Sequence, residues 1–326
     1  MIAWLITLVV VVMLVGILLW AGGGKTIHDT QGSGIIESIP AALEREPNAP
    51  HTLVVLSYAI AYGLGAQRGS MPWPDAVAVY DRLDRVVETI AASGADVALL
   101  QEVDFASQRT HDIDQLSYIA AALGWGFAAR TLTWECRYLP WPPARPTGRL
   151  RAGMGVISRY ALVQNTRQRL SQPRSQPLLA PLFLPYPTVQ MVDVQCGTQT
   201  IRLLNVHLDD RHTAARQRQA QEVVNFVQQV ATPTSVLMGA FNAGSASTFD
   251  HTMHIITEGV RGRFRLVTEA DSTAPASGPR PCLGHVFVGS GLRALEHNVI
   301  TLDEPVSAHL PVVLHVRWNL PLVISR

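Results

Sequence analysis

The sequence has few charged residues and few cysteines. Asp, Glu, Lys and Arg make up 16% of its 326 residues, and the formal net charge is +1. Broad binding to nucleic acid relies on clustered Lys and Arg, so this balance argues against a nucleic-acid partner. Cys136, Cys196 and Cys282 are odd in number and far apart, which argues against a disulfide framework or a zinc motif. We expect buried, unpaired thiols, and one disulfide remains an alternative if the domain lies outside the cytoplasm.

One long apolar run stands at the start of the chain. Residues 2–21 are almost entirely apolar and long enough to cross a bilayer as a helix, with Trp4 and Trp20 near the two ends as interfacial aromatics would be. A cleaved signal peptide is the alternative, but the run exceeds the usual apolar core of such peptides and no Lys or Arg precedes it. We therefore predict a transmembrane anchor over residues 1–22 and a single-pass membrane protein.

The segment after the anchor gives two further predictions. Residues 23–50 are rich in Gly, Pro and polar residues, which predicts a linker. Lys25 is the one basic residue near the anchor and favours the cytoplasm for the following domain. Similar bacterial N-terminal anchors favour the exterior, and we expect the domain of residues 51–320 on the periplasmic, extracytoplasmic side.

The hydrophobic periodicity of residues 51–320 indicates an α/β domain. Apolar positions three and four residues apart predict helices at 74–90, 112–123 and 213–230. Short apolar runs between them predict strands at 53–57, 96–101, 156–158, 189–194, 201–206, 236–239, 286–288 and 312–316. Strands and helices mixed in this way pack as sheets covered by helices.

Two irregular segments, residues 134–146 and 171–187, combine prolines with aromatic residues and arginines. Trp, Tyr and Arg anchor many protein interfaces, so these segments are candidates for contact with a membrane-protein partner; ordinary loop packing is the alternative. Arginines cluster in and near both segments, either as solvated loop charge or as contacts to phosphate, lipid headgroups or an acidic partner. These arginines are Arg137, Arg145, Arg149, Arg151, Arg167, Arg169 and Arg174.

Short motifs follow one another in a characteristic order. They lie at residues 53–63 (LVVLSYAIAYG), 95–103 (ADVALLQEV), 154–160 (MGVISRY), 204–208 (LNVHL), 236–242 (VLMGAFN), 282–288 (CLGHVFV) and 307–312 (SAHLPV). They resemble the Tyr-Asn, Gln-Glu, Ile-Leu-Ser-Arg, Asn-x-His-Leu, Gly-Asp-Phe-Asn, Asp-His-Ile-Phe-Val and Ser-Asp-His-x-Pro-Val motifs of the endonuclease/exonuclease/phosphatase superfamily. The resemblance implies a four-layer α/β sandwich, with two packed mixed β-sheets flanked by helices.

The resemblance also implies roles for four retained residues. In active relatives a divalent cation, usually Mg²⁺, polarises a phosphoryl oxygen, and Glu102 stands at the position of a metal ligand. His207 and Asn242 stand where relatives contact the phosphate. His309 stands where relatives have the terminal His that stabilises it.

Four family positions have lost their functional groups. Ala59 replaces a metal-associated Asn, and Ala240 replaces the Asp that activates water. Gly284 and Ala308 also replace Asp residues. Loss of a general base alone costs about 10²–10⁴-fold in rate, and a single Glu is a poor site for Mg²⁺, which requires several oxygens. We expect no bound cofactor and no significant Mg²⁺-dependent phosphodiesterase activity, so the retained residues are vestigial.

Other carboxylates near the site-bearing strands are potential replacements. Asp104, Asp209, Asp210 and Asp250 follow such strands, and the alternative is that they are ordinary loop carboxylates.

Three interpretations follow from these motifs. The first is a non-catalytic, membrane-anchored member of the superfamily, a pseudoenzyme that serves as an accessory or interaction subunit of a membrane assembly. The second is a hydrolase with residual or altered chemistry on a phosphodiester or phospholipid headgroup. The third is an active hydrolase into which alanines were introduced experimentally, and Gly284 fits that idea less well.

Overall fold

The computed structural model describes residues 2–22, 30–39, 51–66, 73–174, 176–177, 180–244, 250–268 and 283–318. Its α-helices are α1 (Ile2–Gly22), α2 (Ala76–Ala92), α3 (Gln115–Ala122), α4 (Thr213–Val230) and α5 (Thr252–Val260). Its strands are β1 (Gln31–Ser33), β2 (Ile35–Ser38), β3 (Thr52–Ala59), β4 (Val97–Asp104), β5 (Phe127–Leu139), β6 (Gly148–Ser158), β7 (Leu162–Arg169), β8 (Thr188–Cys196), β9 (Gln199–His207), β10 (Ser235–Ala240), β11 (Phe264–Leu266), β12 (Gly284–Gly289), β13 (Leu292–Val299) and β14 (Val312–Trp318).

The strands form two seven-stranded mixed sheets. One has the order β1-β7-β8-β9-β10-β12-β11 and the other β13-β14-β3-β4-β6-β5-β2. The pairs β9–β10 and β3–β4 are parallel, and the other pairs are antiparallel. Side chains alternate between the two faces of a strand, and both faces are buried along most of the central strands β3, β4 and β10.

Three hydrophobic clusters define the layers. Leu53 and Val55 of β3 pack with Val192 and Val236 of the other sheet, which places one cluster between the sheets. A second cluster packs α2 and α3 on the outer face of the sheet that contains β3. The third packs α4 and α5 on the outer face of the sheet that contains β9. The four-layer α/β sandwich expected from the sequence is confirmed.

Helix α1 lies outside this sandwich for most of its length. Residues 4–22 of it are long and apolar enough to span a membrane. Most of its side chains are exposed, whereas Ala21 at its C-terminal end is buried. The N-terminal apolar helix expected from the sequence is therefore present.

The linker prediction for residues 23–50 is wrong for the part that the structure describes. Strand β1 pairs with β7 in one sheet and β2 pairs with β5 in the other, so the chain crosses from one sheet edge to the other. Edge pairing uses main-chain hydrogen bonds and needs no apolar pattern. Gly34 makes the crossing, where a Cβ would lie 2.7 Å from the Arg130 carbonyl oxygen and 2.1 Å from the Asn165 amide nitrogen. Residues 23–29 and 40–50 lie outside the described residues.

The prediction of an irregular segment at 134–146 is also partly wrong, because its first residues belong to a strand. Strand β5 continues to Leu139 and pairs with β6 past two irregularities in register. These irregularities interrupt the alternation of side chains, which is why the sequence pattern did not indicate a strand. Within 171–187, residues Ala180–Leu182 form a short 3₁₀ turn.

Candidate functional site

The motif residues meet at one edge of the sandwich. Ala59 at the end of β3 lies beside Gln101 of β4, and His207 at the end of β9 lies beside Ala240 of β10. Both pairs of strands are parallel, so their carboxyl ends lie at the same edge of each sheet. Gly284, the first residue of β12, pairs with Ala240.

Buried amides hold the two sheets together directly beneath this edge. The Gln101 side-chain nitrogen donates to the Asn205 side-chain oxygen at 2.6 Å and to the Ser57 hydroxyl at 3.1 Å. Asn205 donates in turn to the Gln190 side-chain oxygen at 3.3 Å. Two polar motif residues, the Gln before Glu102 and the Asn of the Asn-x-His motif, therefore have a structural role between the sheets.

Glu102 is presented by a distorted strand. The β4–β6 register shifts between Leu100 and Val103, and Glu102 adopts a φ of 57°, in the left-handed region that a residue with a Cβ seldom occupies. The side chain is buried, and its Oε1 lies 3.7 Å from His207 Nε2. Such backbone outliers persist where the surroundings enforce them, often at functional sites.

Asn242 shows the same backbone feature on the opposite sheet. Its φ is 56°, and its side-chain nitrogen donates to the Leu208 carbonyl oxygen at 2.7 Å. The amide thus braces the chain that leaves β9. Gly239, three residues earlier, has a φ of 149°, and a Cβ there would lie 2.1 Å from the Val206 carbonyl oxygen. The glycine of this motif is therefore required by the close approach of β10 to β9.

Three of the four positions predicted to lack the family's functional groups, Ala59, Ala240 and Gly284, border one small cavity. Ala59, Ala240, Gly284 and His309 line a space of about 10 Å³. A space of that size holds about one water molecule. Ala308 precedes the buried His309 and is itself half-buried. In the described residues, no carboxylate lines this cavity.

A larger cavity of about 290 Å³ adjoins Glu102 and His207. Its walls combine aromatic, proline and aliphatic side chains with polar and charged ones. Its lining residues are Ala61, Tyr62, Leu64, Trp73, Glu102, Arg109, Trp134, Pro173, Gln176, Leu184, Pro185, Tyr186, Pro187, His207, Leu208, Asp209, Asp210, Arg211 and His212. Glu102 and His207 therefore line this larger cavity, whereas His309 lines the small one.

Arg109 is a cavity residue that the sequence motifs do not reveal. Its guanidinium forms two hydrogen bonds of 2.9 and 2.8 Å with the buried carboxylate of Asp104. The guanidinium carbon lies 4.3 Å from the Tyr62 ring centroid and 4.9 Å from that of Trp134. Burial disfavours the charged form, but the contact with Asp104 outweighs burial and raises the pKa of Arg109. This cation is therefore permanently charged and already paired.

The carboxylates considered as replacements have structural partners. Asp104 binds Arg109, and Asp250 binds Arg216 at 2.6 Å. Asp209 accepts from the main-chain nitrogen of Arg211 at 2.9 Å and from that of His212. The exposed Asp210 lies 3.7 Å from Arg211 Nε.

Candidate Mg²⁺ ligands are sparse among the described residues at this edge. Within the described ranges, no group of three or more His, Cys, Asp or Glu side chains is placed to hold a metal ion. Magnesium requires near-octahedral oxygen coordination. The small cavity offers none of the carboxylates expected from active relatives.

Solved structures of other proteins share this architecture. An endonuclease/exonuclease/phosphatase from Beutenbergia cavernae aligns with a TM-score of 0.63 and 18% identity over 82% of this chain and 72% of that one. A mannosyl-6-phosphatase from Bacteroides thetaiotaomicron aligns with a TM-score of 0.57 and 14% identity over 82% and 100%. The catalytic domain of human Nocturnin aligns with a TM-score of 0.56 and 17% identity over 86% and 99%. These likenesses establish the fold.

A search of curated protein sequences gave no match. The model of the Endonuclease/Exonuclease/phosphatase family, in contrast, matches residues 74–309, which is most of the chain. Together with the two packed mixed sheets, this match shows that the chain belongs to the endonuclease/exonuclease/phosphatase family.

Proposed function

We propose that this protein is a membrane-anchored, non-catalytic member of the family that serves as an accessory or interaction subunit of a membrane assembly. The observation that carries the proposal is the small cavity of about 10 Å³ bordered by Ala59, Ala240, Gly284 and His309. Active relatives place metal-binding and water-activating groups at these positions. Here Ala59, Ala240 and Gly284 carry no such group, so this cavity offers no carboxylate to a cation.

The chemical consequences follow from each lost group. Without a carboxylate at Ala240, an attacking water has no base, at a cost of about 10²–10⁴-fold. Without oxygen ligands at Ala59 and Ala308, Glu102 alone has to hold the cation. With Gly284 in place of an Asp, the carboxylate that relatives pair with the terminal His is absent from that position.

The interaction role is supported by the anchor and by two segments beside it. Helix α1 has the length and composition of a membrane span and exposes its apolar side chains. Residues 134–146 and 171–187, the candidate partner contacts, touch each other through the Trp134 indole nitrogen, which donates to the Phe183 carbonyl oxygen at 2.8 Å. The proposal places the domain on the extracytoplasmic side and includes no nucleic-acid partner.

The direct test compares the native chain with a restored one. Full-length protein in detergent micelles is titrated with Mg²⁺ by calorimetry and assayed on bis(p-nitrophenyl) phosphate. The restored variant carries Ala59→Asn, Ala240→Asp, Gly284→Asp and Ala308→Asp. We expect neither Mg²⁺ binding nor hydrolysis from the native chain, and a gain of Mg²⁺ binding on restoration. Stoichiometric Mg²⁺ binding by the native chain, accompanied by hydrolysis, would refute the non-catalytic role.

The accessory role has its own test. Affinity purification of the full-length protein from native membranes should recover a membrane protein in constant ratio. Recovery of the chain alone, under detergents that preserve membrane complexes, contradicts that role.

A second candidate function is a hydrolase with altered chemistry. The observation that favours it is the pair of Glu102 Oε1 and His207 Nε2, 3.7 Å apart at the wall of the 290 Å³ cavity. Turnover of phosphodiesters or phospholipid headgroups with Mg²⁺ or Mn²⁺ that disappears in Glu102→Ala would establish it. No turnover across a broad panel would exclude it.

A further inference from the structure

The C-terminal end of α1 is packed directly onto the domain. Ala21 is buried, and Gly22 lies so close that a Cβ there would stand 2.7 Å from the Cβ of Leu182. Arg137 donates to the Trp20 carbonyl oxygen at 3.4 Å, and its guanidinium carbon lies 5.9 Å from the Trp20 ring centroid. If α1 spans the membrane, the end of β5 therefore lies where the helix leaves the bilayer.

Residues 137–146, which we name the β5 tip, present exposed aromatic rings at this place. Tyr138 is 42% exposed and Trp141 is 68% exposed, although large aromatic side chains are seldom so accessible. The Thr147 hydroxyl donates to the Trp141 carbonyl oxygen at 2.8 Å and the Thr147 amide donates to it at 3.2 Å, so the loop has a fixed shape. Trp and Tyr are the residues enriched at the lipid–water interface.

The stretch of sequence that contains the β5 tip carries charge of one sign. Between Glu135 and Asp193 the chain contains eight arginines and no acidic residue, although the whole chain has a net charge of only +1. Some of these arginines bind carboxylates from elsewhere, as Arg149 binds Asp112 at 2.8 Å. Arg137 and Arg145 in the tip are exposed and form no ion pair with any described residue.

We propose that the β5 tip binds the headgroup layer of the same bilayer that α1 spans, with Tyr138 and Trp141 among the headgroups and Arg137 and Arg145 against anionic lipid phosphates. This inference rests on the membrane anchor in the proposed function. It adds a second point of attachment beside the helix and so fixes the orientation of the domain. It also places the wall of the 290 Å³ cavity formed by Trp134 and residues 184–187 next to the lipid surface.

The test uses the full chain reconstituted into phosphatidylcholine vesicles with and without phosphatidylglycerol. A nitrobenzoxadiazole label is attached at one introduced cysteine in a Cys282→Ser background, in which Cys136 and Cys196 are buried. Ala144→Cys places the label in the tip without removing an aromatic residue or an arginine. Leu295→Cys is the matched control, because it is exposed on β13 at the opposite edge of the same sheet. Val12→Cys reports on the anchor.

We expect spin-labelled headgroups to quench the label at position 144 and not at position 295, and spin-labelled acyl chains to quench it at position 12. Quenching at 12 with equal, weak quenching at 144 and 295 overturns the tip proposal alone. No quenching at 12 overturns the anchor on which it rests.

The arginine contribution is tested in the Ala144→Cys protein. Arg137→Gln with Arg145→Gln should lower the ratio of membrane-bound to unbound tip about twenty-five-fold in anionic vesicles, about five-fold for each arginine. The matched control, Arg293→Gln with Arg317→Gln, makes the same charge change on two exposed residues paired across β13 and β14 and should leave the ratio unchanged. Equal effects of the two double variants, or none from the first, would refute anionic lipid contact by the tip.

Discussion

Arg109→Met tests whether the cation in the large cavity is a structural element or a binding group. Arg109 is buried and forms two hydrogen bonds with Asp104, a carboxylate with no exposed surface. It also lies over the Tyr62 and Trp134 rings. The Thr110 hydroxyl donates to the same carboxylate at 2.9 Å, and this bond would remain in the variant.

The expected loss of stability comes mainly from the carboxylate left behind. Removing one partner of a buried ion pair typically costs about 3–5 kcal/mol, because the other charge stays buried without compensation. A domain is stable by only about 5–15 kcal/mol, so the variant should lose a large part of its free energy of unfolding. Asp104→Asn in the same chain removes the stranded charge and should recover part of the loss.

The measurement is urea unfolding of the full chain in micelles, followed by near-ultraviolet circular dichroism of the domain's aromatic residues. The matched control is Arg85→Met, which breaks the exposed pair with Glu304 and should cost less than about 1 kcal/mol. If Arg109→Met is as stable as the native chain but loses affinity for sulfate, Arg109 is an anion-binding group. The structural reasoning would then be wrong.

Three further predictions concern stability and reactivity. Burial raises the pKa of the Cys136 and Cys196 thiols to about 12. At pH 8 only roughly one thiol in 10⁴ is therefore ionised. Mass spectrometry should show slow alkylation of both cysteines by iodoacetamide in the native protein and fast alkylation in urea. Asn205→Ala should lower the free energy of unfolding by at least about 1–3 kcal/mol, because the buried Gln190 oxygen loses its donor. Urea unfolding measures this, with Asn225→Ala on the exposed face of α4 as the control. Equal stability of the two variants would contradict the prediction. Burial alone would raise the pKa of Asp250, but hydrogen bonds from Thr252 and Arg216 lower it. The stabilisation by Asp250 is therefore present above the pKa of the unfolded state and is lost as pH falls through the lower pKa of the folded state. The difference in free energy of unfolding between the native chain and Asp250→Asn should therefore shrink on acidification, and a constant difference would contradict the assignment.

The sequence predicted elements whose pattern is local. Helix α4 occupies the predicted residues 213–230, since one apolar face at three- and four-residue spacing specifies a helix without reference to the rest of the chain. The order of short motifs likewise predicted the family and its four-layer fold. Cys136 and Cys196, expected to be buried and unpaired, are so; Cys282 lies outside the described residues.

Non-local features escaped the sequence pattern. Strands β1 and β2 have no apolar alternation and exist because sheet edges supply partners for their main chain. The irregular register of β5 concealed a strand of 13 residues. Arg109 carries no motif, because its role arises only when Asp104, Tyr62 and Trp134 surround it.

The sequence by itself determined which residues stand at the motif positions, and from Ala59, Ala240, Gly284 and Ala308 it predicts that four functional groups of the family are absent. Tertiary structure alone decided that three of these positions, distant along the chain, border one cavity with room for about one water molecule. It also decided that the nearby carboxylates have other partners. The reason is that the sequence gives the residue type at each position directly, whereas the space between side chains depends on how strands distant in the sequence pack together.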